Sequence, residues 1–185
     1  MIYHINVSSV LRKTVCDLYT NLVTRPTGVA VREAIMAALA EQPYPNVAII
    51  DFAQVKLLDF SCADEVVGKL LDAYRDSDDG RPLHYFRIRG VHEGHLEAIE
   101  EVLKVYNLAV IVEDEAGVIR LVGTIDDGAR RAWQVVNLHG RIMPQEIERE
   151  LGEPPEGATS VLNDLSARRL VMRRADGYVS LPQAL

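Results

Sequence analysis

Short apolar runs alternate along this chain with segments whose apolar residues recur every three or four positions. Residues 2–7 set Tyr3, Ile5 and Val7 against Ile2, His4 and Asn6, the pattern of an edge strand. Val10, Leu11, Val15, Leu18, Tyr19 and Leu22 fall at helical spacing behind Ser8 and Ser9 and predict a helix over residues 9–23. Thr24-Arg25-Pro26-Thr27-Gly28 interrupts, because the ring of Pro26 disfavours the α region for Arg25. Val29, Val31, Ile35, Met36 and Leu39 predict the next helix, which ends before Pro43-Tyr44-Pro45. Residues 47–52 form an apolar, β-branched run of the kind found in buried strands. Val55, Leu57 and Leu58 lead into the turn Asp59-Phe60-Ser61, with Ser61 the expected helix cap. From Ala63 onward Val66, Val67, Leu70, Leu71 and Tyr74 take helical spacing, so the stretch reads as strand, polar turn and helix, half of a βαβ unit.

The same alternation continues. A loop is expected at residues 76–80, a strand at 83–91, a helix at 93–107, and two strands at 109–112 and 118–122 joined as a hairpin. The pattern then changes at Thr124-Ile125-Asp126-Asp127-Gly128. Helices are expected at 129–137, 144–151 and 158–168, followed by two strands at 170–174 and 178–181 around Ala175-Asp176-Gly177. An Asp-Gly pair between apolar runs is a hairpin signal. The expected fold class is α/β with a mixed sheet and helices over residues 1–126, followed by a small second domain over residues 127–185.

The 185 residues suffice for one large domain or two small ones, and the 48% hydrophobic and 25% charged content is ordinary for a globular protein. No apolar run approaches the roughly 20 residues of a membrane span. The first residues are polar where a signal peptide has its apolar core, so a cytoplasmic location and no membrane association are expected. Charge is uneven: residues 1–128 hold 12 Lys/Arg against 20 Asp/Glu, and residues 129–185 hold 8 against 7. The first part would repel nucleic acid; the second is near neutral, with clustered arginines. Cys16 and Cys62 are expected as free thiols, although a helix N-terminus beside Cys62 would lower its pKa.

At Asp59-Phe60-Ser61-Cys62 the chain resembles STAS domains, the family of bacterial anti-sigma factor antagonists and sulphate-transporter tails. The closer resemblance is to STAS-like bacterial domains of uncharacterised function, over about residues 28–124. In the antagonists the motif is Asp-Ser-Ser-Gly at a helix start, and the second Ser is phosphorylated by a partner kinase. The resemblance implies that Ser61 is the phospho-acceptor or switch position and Asp59 its acidic companion; Phe60 and Cys62 depart from the motif. It also implies a partner such as a serine kinase with an anti-sigma-like ATPase fold. The string LSARRLVMRRADGYVSL, with the three helices before the hairpin, resembles a winged helix-turn-helix domain. That resemblance implies that Thr159, Ser160, Asn163 and Arg168 face DNA and that Arg169, Arg173 and Arg174 reach phosphates.

Other chemistry is sparse. Arg25 and Thr27 could hold an anion at the start of a helix, or form a capping turn with a solvated arginine. His92 and His95, three apart, read as loop and cap, without the four ligands of a structural zinc site. Asp51 and Asp59, eight apart, could act as paired carboxylates in acid–base work, but read as one capping residue and one turn residue. There is no Gly-x-Ser-x-Gly and no phosphate-binding glycine-rich loop. Neither an enzyme nor a cofactor or metal is expected. Three readings stand: a regulator that binds DNA, an interaction switch whose winged helix docks a protein, and a nucleotide or small-ligand binder. The sequence leaves the oligomeric state open, a homodimer included.

Overall fold

A computed structural model describes residues 1–16, 20–75, 83–152 and 154–181. The chain divides into two compact units, Met1–Thr124 and Ile125–Leu185. The loop expected at residues 76–80 lies outside the described residues.

The first unit is built on a five-stranded sheet. Its strands are β1 (Ile2–Asn6), β3 (Asn46–Asp51), β5 (His84–Val91), β6 (Ala109–Asp114) and β7 (Ile119–Gly123), side by side in that order. The first three pairings are parallel and β6–β7 is the antiparallel hairpin. Every residue of β3 is buried, as expected of a β-branched run with a parallel strand on each side. Alternate strand residues, Ile5, Ala48, Ile50, Phe86, Ile88, Val110 and Val112, join one apolar cluster with the helices. Those helices are α1 (Val7–Thr14), α2 (Arg25–Ala40), a composite helix over residues 60–73, and α5 (Glu93–Tyr106). The α/β class expected from the alternating pattern is what the chain adopts.

Three local expectations are overturned here. The helix of residues 9–23 is shorter: α1 ends at Thr14, and Asn21–Leu22 (β2) pairs in parallel with Leu57–Leu58 (β4). Leu22 is fully buried in that strand, so its place in a 3.6-residue period was shared with a period the tertiary structure preferred. The Thr-Arg-Pro-Thr-Gly segment does not interrupt a helix; it begins one. Arg25 and Pro26 are the first two residues of α2, where the missing N–H of a proline costs nothing, and Thr24 before them takes φ 87°. Finally, the helix expected from Ala63 starts at Phe60. It runs as α3 (Phe60–Ala63), a π-helical segment (Asp64–Lys69) and α4 (Leu70–Ala73).

The second unit runs helix, strand, two helices and hairpin: α6 (Asp127–His139), β8 (Arg141–Ile142), α7 (Pro144–Leu151), α8 (Pro155–Ala167), β9 (Val171–Arg174) and β10 (Gly177–Ser180). The three strands form an antiparallel sheet in the order β8-β10-β9. The short β8 carries no signal of its own in the sequence. Asp126 caps α6 by accepting the Ala129 N–H at 2.8 Å. The core is Ala129, Ala132, Trp133, Val136, Ile147, Leu162 and Leu165 against Leu170 and Val179.

Candidate functional site

Two places concentrate polar chemistry, one in each unit. In the first unit it is the junction of β4 with the composite helix. Asp59, not Ser61, caps that helix. One of its carboxylate oxygens accepts the Cys62 N–H at 2.7 Å and the Ser61 hydroxyl at 2.9 Å. The other accepts the Thr24 N–H at 3.2 Å. The expected Ser61 cap is therefore corrected: a carboxylate one residue before the helix reaches the first-turn N–H, and the serine hydroxyl turns back to it as a donor. Burial opposes the charge on Asp59, but those N–H groups and the hydroxyl outweigh it and hold the carboxyl below its usual range. The N-termini of α2 and of the composite helix thus share one anion supplied by the chain itself.

Beside this cap lies a network of ion pairs. Glu65, with only 1% of its side chain exposed, accepts from Arg25 at 2.7 Å, from Arg32 at 2.5 Å and from Lys69. Asp64 accepts from Arg25 and from the Tyr106 hydroxyl at 2.8 Å. A buried carboxylate needs such partners, because an uncompensated charge out of water is costly. Burial raises and the cations lower the carboxyl pKa values, and both end below the ordinary range. Arg25 and Lys69 remain 47% and 38% exposed at the rim, whereas Arg32 is 20% exposed.

Backbone geometry makes the network fit. The π-helical turn carries five consecutive buried residues, Asp64 to Gly68, and such turns recur at functional sites. Gly28 lets α2 approach; a Cβ there would stand 3.0 Å from Glu65 Cβ and 3.1 Å from Cys62 Cα. Gly68 does the same for α5, since a Cβ would meet Val102 at 2.5 Å and Tyr106 at 2.7 Å. Arg25 and Thr27, considered as an anion clamp, are found with Arg25 on Asp64 and Glu65 and Thr27 3.1 Å from the Thr24 hydroxyl. The sequence reading missed Arg32, Asp64, Glu65, Lys69 and Tyr106. The available signal was an arginine three residues before and another four residues after Gly28, on one helical face, with an acidic pair inside an apolar helix.

Cys62 is not the activated thiol that a helix N-terminus suggests. It is buried, donates to the Thr24 carbonyl at 3.0 Å, and burial together with Asp59 pushes its pKa up to about 12. Leu57 and Phe60, on either side of Asp59, are exposed. His92 and His95 stack with ring centroids 3.4 Å apart, and burial beside His92 lowers His95 to about 4. His92 lines a cavity of about 260 Å³ at the ends of β5 and β6, with Glu93, Asp114 and Arg120. Among the described residues, no group of three or more His, Cys, Asp or Glu side chains is placed to hold a metal ion, and no helix is long and apolar enough to cross a membrane.

In the second unit the polar feature is the outer face of α8. Thr159, Ser160 and Asn163 are exposed and, with Pro155 and Glu156, line an open groove of about 550 Å³. Asn163 Oδ1 accepts the Tyr178 hydroxyl at 2.8 Å. Arg173 and Arg174 are exposed at the end of β9. Arg168 is exposed but pairs with Asp164 at 3.0 Å.

Arg169, expected to reach a phosphate, is buried, with 8% exposure. It occupies the left-handed position after the helix, φ 59°, where its N–H bonds Ser166 and the Leu170 N–H bonds Leu165. This Schellman arrangement turns the chain under the helix and takes the arginine with it.

No protein-family model, curated protein or solved structure matches the chain.

Proposed function

We propose that the protein is a two-part regulator, in which a winged helix over residues 125–185 binds duplex DNA and a STAS-like unit over residues 1–124 receives the regulating signal. The observation that carries this reading is the second unit's topology together with the chemistry of its outer helix. Helix, strand, two helices and hairpin, with sheet order β8-β10-β9, leave α8 presenting Thr159, Ser160 and Asn163 on an exposed polar face. A helix with short hydroxyl and amide side chains outward suits base edges in a major groove, and Arg173 and Arg174 at the hairpin suit the flanking phosphates. Arg168 would reach a phosphate only by leaving Asp164, and Arg169 contributes none.

In the first unit, Ser61 is the position for a signal. Its hydroxyl is a donor to Asp59. A phosphoryl group there would remove the donor and set about 1.5 to 2 negative charges against that carboxylate. This would strain the cap that holds both helix starts.

The second reading, a winged helix that docks a protein, is favoured by the engagement of Arg168 and Arg169, which leaves few cations for DNA. Fluorescence anisotropy on labelled duplex at 50 and 200 mM salt separates the two. DNA binding requires affinity to fall steeply with salt, and Arg173→Ala/Arg174→Ala to weaken all sequences and flatten that slope by about 2. Affinity and slope unchanged in the double variant would remove the hairpin from the contact surface, and no binding at 50 mM salt would favour docking. Ser61→Asp measured alongside should change affinity if the first unit controls the second.

A further inference from the structure

We propose that the first turn of α5 is an acid-released latch, seated on residues 52–58 by the paired rings of His92 and His95 only while His95 is uncharged. The inference stands apart from the reading of the second unit.

His92 is the residue before α5 and His95 the third within it, so both side chains lie on one side of the helix start. Their ring centroids are 3.4 Å apart, with the planes at 34°. Gly94 leaves room for this, since a Cβ there would lie 3.3 Å from His92 Cε1. His92 Nε2 lies 3.3 Å from the Lys56 carbonyl, and the His95 ring stands over Phe52 with 6.2 Å between centroids. His95 is 1% exposed, and neither of its ring nitrogens completes a hydrogen bond. Buried nitrogens in that condition are uncommon and costly.

A proton added to His95 would be opposed three ways: the ring is out of water, His92 lies against it, and α5 directs its positive end there. Among the described residues, no carboxylate pairs with either ring. Asp51, at the end of β3, holds Arg89 at 3.2 Å and the Ala53 N–H at 2.9 Å. Asp59 serves the two helix starts, and Cys62 beside it keeps its proton. Asp64 and Glu65 are taken by Arg25, Arg32 and Lys69. From β7 comes Arg120, paired with Asp114, while Glu93 and Lys56 are exposed. A charged His95 regains hydration only by leaving, and the first turn of α5 leaves with it. That withdraws His92 from the Lys56 carbonyl beside β4 and opens the cavity that His92 lines.

Burial and then His92 hold His95 at about 4, against an ordinary 6.5, and the nearby Lys56 carbonyl offsets them only in part. Between those values the seated turn binds fewer protons than the released one. The latch is therefore fully seated above about pH 6.5 and loosens as pH falls toward 4. From pH 7 to pH 5 the ratio of released to seated turn should rise about twenty-fold.

The test is amide hydrogen exchange of the full-length protein, read residue by residue by NMR at pH 7, 6 and 5 and expressed as protection factors. The amides of Leu96 and Glu97 should lose protection about twenty-fold from pH 7 to pH 5, while Ile49 and Ile50 in β3 keep theirs. His95→Phe, an aromatic ring with no proton to gain, should abolish the dependence. The ring-carbon shifts of His95 in wild type give a second reading that survives if this variant fails to fold, and should show no midpoint above about pH 5. A His95 midpoint near its ordinary value, pH-independent protection at Leu96, an equal response in His95→Phe, or an equal loss in β3 would each overturn the latch.

Discussion

Replacing Asp59 with Ala should destabilise the protein more than replacing Ser61 with Ala, the reverse of what a serine cap requires. Asp59 accepts from the Cys62 N–H at 2.7 Å, the Ser61 hydroxyl at 2.9 Å and the Thr24 N–H at 3.2 Å. Loss of an N-cap to Ala costs about 1 kcal/mol. Loss of an anion at the shared start of two helices adds about 0.5 kcal/mol. The Thr24 contact is exposed, so water can replace it and it adds little. Together the cost is about 1.5 kcal/mol for Asp59→Ala. Ser61→Ala removes one of three donors to the same carboxylate and should cost about 0.5 kcal/mol or less. With a urea dependence of about 2 kcal/mol per molar, the first variant should lower the midpoint by roughly 0.75 M and the second by about 0.25 M or less.

The assay is equilibrium unfolding in urea followed by far-ultraviolet circular dichroism, repeated between pH 7 and pH 3. Asp59 has a depressed pKa in the folded state, so its contribution is present above the unfolded value of about 3.9 and is lost as pH falls through the folded one. The difference between wild type and Asp59→Ala should therefore close below about pH 4. Equal costs for the two variants, a larger cost for Ser61→Ala, or a difference that persists undiminished at pH 3 would refute the assignment of the cap.

Three further outcomes follow from the same region. Arg32→Met should cost about 2 kcal/mol in urea unfolding, because it strips the 2.5 Å partner from Glu65 Oε2 at a site 1% exposed, whereas Arg12→Met, which loses only a solvent-exposed hydrogen bond to Gln54, should cost under about 0.5 kcal/mol. Gly68→Ala should lower stability by about 1 to 3 kcal/mol despite the better helix propensity of Ala, since its Cβ would stand 2.5 Å from Val102; a neutral or stabilising result would mean that α5 shifts freely. A thiol reagent at pH 8 should modify the exposed Cys16 in the native protein and reach Cys62 only in denaturant, and rapid modification of two thiols without denaturant would contradict the burial of Cys62.

Much of the architecture was legible in the order of residues. The apolar run at 47–52 is β3, the periodic stretch at 93–107 is α5, and the Asp-Gly between apolar runs is the β9–β10 turn. These signals are local: burial on both faces of a strand, one face of a helix, or a turn that needs a particular φ each leave a pattern within a few residues. What the chain alone could not decide depended on partners distant in sequence. Leu22 became strand because Leu58 was there to pair with it. Arg25 and Arg32 on α2, Asp64 and Glu65 on the π-helical turn, and Tyr106 on α5 meet because Gly28 and Gly68 let three helices approach. Asp59 outcompeted Ser61 as the cap since its carboxylate could serve two helix starts at once. Arg169 turned inward because the helix needed its left-handed residue there. Periodicity records which side of an element is buried. Only the folded chain determines which charges share that burial, because the cost of leaving one unpaired is set by everything packed around it.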